Sequence, residues 1–335
     1  MRKPFRYSNL VLIVCLGLSA SFVRAADEDG AARITRHIDR LVALFQPAPG
    51  AAQLDALISA NARDELFRLE SLLRLYRGKF SDLEKHFDVV KEMEDGLGAF
   101  EYAKESLKFA RDKRASEQVL AGLRSKEETA RTVAVKLLQQ SALNSDLPKL
   151  RASVVEHFNG WNASKNLGYV KEELYQMLAK VKDGRLDFNK LEDGIHEFRR
   201  QVRWFPLTLD ALDGMIVVRD DAPGVCPVKT LELLAGTPIA KNKYANPGSH
   251  FPAPKPCEIS RCLMWEIART VRDVGRIKDD AQGDLAVNAA LDDIDVASNN
   301  HATPAQTKEA KAIRDDLFSS KTLDKLISQI DSCKG

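Results

Sequence analysis

Glu192 to Leu209 reads EDGIHEFRRQVRWFPLTL, and its spacing decides the fold class. Counted at about 100° per residue, Ile195, Phe198, Val202, Phe205 and Leu209 gather on one stripe of a helix. His196, Arg199, Arg200 and Arg203 fall on a second stripe about 100° wide. The segment is therefore an amphipathic helix with an apolar face for a core and a cationic face beside it. Asp187 is its expected N-cap, and Pro206 is expected to kink it, because proline removes one helical hydrogen bond.

The same periodicity extends outward in both directions. Ile34, Ile38, Leu41, Val42 and Phe45 follow helical spacing, as do Leu66, Leu69, Leu73 and Tyr76. Ser81-Asp-Leu-Glu84 has the form of a capping box opening a long helix to about Arg114, with Gly96 and Gly98 weakening its middle. Further helices are expected over 116–142, 147–158, 165–183, 188–214, 258–278, 304–318 and 320–332, the 304 helix starting at a capped Pro304. Met215 to Val218 is the only strand-like stretch. The class is all-α, a helical bundle or bundles.

Residues 1–25 carry Arg2, Lys3 and Arg6 ahead of an apolar run from Leu10 to Val23, then Val23-Arg24-Ala25. That order is expected of a secretory signal cut after Ala25, giving a periplasmic or extracellular protein without a membrane span. The precursor's 50 basic and 48 acidic residues give a net charge of +2. Loss of Arg2, Lys3, Arg6 and Arg24 turns this to −2, so nucleic acid is not an expected partner. Any anion site must come from local clustering.

Four cysteines remain beyond the signal: Cys226, Cys257, Cys262 and Cys333. In an exported chain an even number reads as two disulfides, with three connectivities open. The preferred pairing is Cys226–Cys257 across the loop, with Cys262–Cys333 tying down the last helix. Seven of the 13 prolines lie between Asp220 and Pro256, which marks residues 220–257 as a loop insertion in which only Thr230 to Leu234 could form a short helix. The chain divides into an N-terminal segment 26–60 and helical halves 61–183 and 184–335.

Three arginines and a histidine without lysine suit phosphate oxygens, since the guanidinium fork donates two bonds at once. His196-x-x-Arg199-x-x-x-Arg203 on an amphipathic helix resembles the signature of the conserved histidine α-helical domain, CHAD. The resemblance implies two similar helical bundles and a basic channel that binds inorganic polyphosphate, with His196, Arg199 and Arg203 as contacts and Arg200 beside them. An earlier phrase, EDGLGAFEYAKES at 94–106, repeats the start of the motif but has Gly98, Glu101 and Glu105 where the later one has His196, Arg199 and Arg203. Arg63, Arg74 and Arg77 are the alternative source of cations in the first half.

Arg269, Arg272 and Arg276 repeat the spacing on a later helix and are expected to form a second wall. Trp204 lies between the basic and apolar stripes, placed to report ligand binding. The acidic stretch from Glu84 to Asp95 lacks the Glu-x-x-His pairs of bundle metal sites, and no cofactor is expected. No nucleophile motif accompanies the cations, so the expected function is non-enzymatic binding of polyphosphate or another phosphorylated polymer. The alternative is an exported helical scaffold or interaction module docking an acidic protein surface.

Overall fold

The computed structural model describes residues 30–45, 50–141, 146–220, 228–253, 255–292 and 301–333. The signal-like segment 1–25 and Cys226 lie outside them. The described chain is all-α, with twelve α-helices and one two-stranded sheet. In order the helices are α1 (Gly30–Leu44), α2 (Ala51–Ser59), α3 (Ala62–Tyr76), α4 (Leu83–Asp112), α5 (Glu117–Ser141), α6 (Asp146–His157) and α7 (Ala163–Asp183). After them come α8 (Glu197–Ala211), α9 (Val228–Ala235), α10 (Arg261–Asp292), α11 (Pro304–Ser319) and α12 (Thr322–Ser332). Among the described residues no helix is long and apolar enough to cross a membrane.

The apolar stripes read from the sequence are the ones that pack. Ile34, Ile38 and Leu41 of α1, and Leu66, Leu69, Leu73 and Tyr76 of α3, are fully buried. So are Phe198, Val202, Phe205 and Leu209 of α8, to within 1%. These join one continuous core that runs from Ala31 to Ile330 and includes residues on both sides of position 183. A small satellite cluster of Leu107, Ala110, Val119, Leu120 and Leu123 closes the far end of the α4–α5 hairpin.

Local details depart from the expectations in instructive ways. Ser81 does not make a capping box: α4 starts at Leu83, and Glu84 is drawn instead to Arg77 at 2.7 Å. Thr303 does cap α11, its hydroxyl accepting from Gln306 N while Gln306 Oε1 accepts from Thr303 N. Asp187 is not the cap of the basic helix, because its carboxylate accepts from Asn189 N and Nδ2. Before α8 the chain winds through a π-helical turn, Leu191–His196, and Pro206 lies inside a continuous α8.

The sheet pairs β1 (Ile216–Arg219) with β2 (Cys257–Ser260) in parallel, Ile216 opposite Cys257. β2 carried no legible strand pattern, since four residues are too few to show alternation. Its first residue forms a disulfide with Cys333, Cα atoms 5.2 Å apart, and Cys262 is also disulfide-bonded. The expected Cys226–Cys257 and Cys262–Cys333 pairings are therefore both corrected. The parallel ladder places Cys257 beside the end of α12, a juxtaposition that sequence spacing does not encode.

A polar network ties α1 to the end of α8 and so fixes the helix that bears the cations. Arg33 donates to Asp213 O at 2.8 Å, and Arg36 pairs with Asp213 at 2.9 Å. His37 sits between Glu65 Oε1 and Ala211 O, at 2.5 and 3.0 Å. Burial favours the neutral form of Glu65, yet His37 and Arg68 outweigh it and hold the carboxyl down at about 2.

Candidate functional site

His196, Arg199, Arg200 and Arg203 all line one cavity of about 720 Å³. α3, α4, α8 and α10 line it, together with a 3-10 turn carrying Lys243 and Tyr244. The π turn brings His196 to this cavity. It needs glycine at position 194, where a Cβ would stand 2.0 Å from Asp187 O. Such turns insert one extra residue and re-aim the side chains that follow.

The cationic side is compact. Arg199 crosses α10, its Nε 3.3 Å from Val271 O, over Gly275, where a Cβ would meet that Nε at 2.8 Å. Arg203 lays its guanidinium on the Phe67 ring at 4.9 Å, and its Nε has no hydrogen-bond partner. Lys278, from α10, places Nζ 3.5 Å from His196 Nε2, while His196 Nδ1 is buried without a partner. Arg200 pairs with Glu197, three residues earlier in the chain, at 3.5 Å. Among the described residues, Arg199, Arg203 and Lys278 have no carboxylate at ion-pair distance.

Electrostatics follow from that crowding. Burial and the neighbouring Lys278, Arg199, Arg200 and Arg203 push His196 down to about 3, so it is a neutral imidazole near pH 7. Burial, with Arg199 beside it, brings Lys278 down to about 8 in spite of Glu192. Burial also lowers the Arg203 guanidinium below its usual value. The histidine is thus not one of the charges, contrary to the sequence-based expectation, and Lys278 takes that place.

The first EDG phrase faces the second across the same cavity. Glu94, Asp95, Gly98, Glu101, Tyr102 and Glu105 line it from α4. Arg63 reaches over from α3 and binds Glu94 and Glu101, each at 2.7 Å. Gly98 makes room for it, since a Cβ there would stand 2.5 Å from an Arg63 nitrogen. Lys91 pairs with Asp95, and Lys243 with Asp64 at 2.7 Å. The near-twin therefore brings acids to the same cavity that the cations of α8 line.

Of the alternative first-half cations, Arg63 lines the cavity fully paired. Arg74 binds Glu70 and stacks on Trp204 at 4.2 Å, and Arg77 binds Glu84. Trp204 does line the cavity. Arg269, Arg272 and Arg276 do not, and the second-wall expectation is corrected. Arg269 pairs with Glu266 and Asp316, Arg272 with Asp273, and Arg276 with Glu309. They lie roughly 60–120° round α10 from Gly275. The positions that do face the site, Gly275 and Lys278, had no signal in the sequence beyond helical phase.

No family model matches this chain, and no curated protein or solved structure is detectably similar to it.

Proposed function

We propose that this is an exported, non-catalytic binding protein whose cavity takes the phosphate groups of a phosphorylated polymer or of inorganic polyphosphate. One observation carries the reading: Arg199, Arg203 and Lys278 line one cavity, beside a neutral His196, and among the described residues none of the three has a carboxylate at ion-pair distance. A partly buried cation without a direct ion-pair partner is costly, and an entering anion relieves it. Arginine forks and an ammonium are the donors phosphate oxygens prefer. The resemblance of His196-x-x-Arg199-x-x-x-Arg203 to the polyphosphate-binding helical family points the same way, with one basic wall in place of a two-sided channel. The signal-like first 25 residues and the disulfide-bonded cysteines support export.

An acidic protein surface is a poorer occupant, because a convex partner cannot reach Arg203 between Phe67 and Trp204. The test is a titration of the mature protein with tripolyphosphate at low salt, followed by tryptophan fluorescence through Trp204. A saturable change that weakens steeply with salt is expected, and an Arg199→Ala/Arg203→Ala double variant should lose it. No response from the native protein, or an equal response from the variant, rejects the reading.

A further inference from the structure

The cavity, at about 720 Å³, is in the range of small-ligand pockets, about 300–1,000 Å³. Its lining charges come from different helices. Arg199, Arg203 and Lys278 stand on α8 and α10, and Glu94, Asp95, Glu101 and Glu105 stand on α4, with Asp64 and Glu70 of α3 and Asp279 of α10 also at the lining. A bare phosphate chain that began at Arg203 and Lys278 would carry its next charges toward Glu94, Asp95, Glu101 and Glu105. Like charges at close range oppose one another, so the acidic wall limits how much anion the site admits.

The same wall has another capacity. Arg63 and Lys91 offset only part of the charge of Glu94, Glu101 and Asp95, which leaves a surface still acidic and rich in hydrogen-bond acceptors. Carboxylate oxygens with spare lone pairs accept from hydroxyl groups. Glu105 has no ion pair among the described residues, and Tyr102 beside it is 45% exposed at the rim. Tyr244 of the 3-10 turn carries the Lys243 ammonium over its ring at 5.6 Å, and Phe67 and Trp204 are covered by guanidinium groups, so Tyr102 offers the open ring. Acceptors and the exposed Tyr102 ring in one cavity with Arg199, Arg203 and Lys278 suit a ligand that is anionic at one end and hydroxylated at the other.

We infer that the ligand of this cavity is a phosphorylated sugar, with one phosphate on a polyhydroxylated body, in preference to a bare phosphate chain. The inference rests on the anion-binding reading above. The phosphate lies against Arg199, Arg203 and Lys278, and the hydroxyls bond to the carboxylates of α4.

Calorimetric titration with four probes tests it: inorganic phosphate, tripolyphosphate, glucose 6-phosphate and glucose. The native protein should bind glucose 6-phosphate about tenfold or more tighter than phosphate, from added hydrogen bonds to charged acceptors, with tripolyphosphate weaker than the sugar phosphate. An Asp95→Asn/Glu105→Gln variant, altered only at exposed positions, should weaken glucose 6-phosphate and tighten tripolyphosphate. Tripolyphosphate binding more tightly than glucose 6-phosphate in the native protein, or a variant that leaves their order unchanged, overturns the sugar-phosphate assignment while the anion site stands. Failure of phosphate, tripolyphosphate and glucose 6-phosphate alike removes both readings.

Discussion

Arg203 holds its charge against Phe67 and near Trp204, with no carboxylate at ion-pair distance among the described residues. Such a residue is kept at the expense of stability, since a buried ion without a partner is worse than an apolar side chain of similar size. Arg203→Met is expected to raise the unfolding free energy by about 1 kcal/mol while abolishing the anion response. Urea midpoints and the fluorescence titration, run on the same variant, check the two halves of that statement. Lys278 makes a second residue-scale prediction. Its free-state value of about 8 must rise when an anion binds, so affinity is greatest below that pH and falls as pH climbs through it. His196 contributes no charge to lose between pH 6 and 8, being already neutral. Binding constants measured from pH 6 to 10 should be flat and then decline, and Lys278→Met should remove the decline.

At the scale of the element, the π turn from Leu191 to His196 is the piece that re-aims the motif. Helical periodicity identified the apolar face of α8 correctly and put four basic residues beside it. It could not show the extra residue in the turn, because His196 and Arg199 were phased as one α-helix. Gly194 is the constraint, as a Cβ there would stand 2.0 Å from the Asp187 carbonyl oxygen. Gly194→Ala should destabilise the protein by about 1–3 kcal/mol, the usual range for overpacking against groups that cannot yield. Urea unfolding gives the loss. A variant as stable as the native chain would mean that the turn is not fixed by this contact. Pro206, expected to kink the helix, sits inside α8 without ending it.

At the scale of the whole molecule, the Cys257–Cys333 bridge spans 76 residues and joins β2 to the end of α12. Replacing both cysteines by serine should lower stability by about 2–4 kcal/mol, the typical contribution of a disulfide. Neither residue lines the cavity, so the anion response should survive at temperatures where the variant is folded. Calorimetric unfolding paired with the titration separates the two effects.

The sequence by itself determined the all-α class, most helix spans, the buried stripes and the cationic face of α8. Each of these is local: a period of 3.6 residues sorts side chains into faces whatever lies across from them. Tertiary structure alone decided which charges met. Arg276 finds Glu309 and becomes a plain surface pair, Arg63 finds Glu94 and Glu101 across the cleared Gly98, and Arg203 finds none. Lys278 entered the site and Arg272 left it because of how α10 is rotated against α8. Helical phase shows which residues share a face. Only packing between distant helices fixes what that face confronts, and a charge binds or is silenced according to its neighbour.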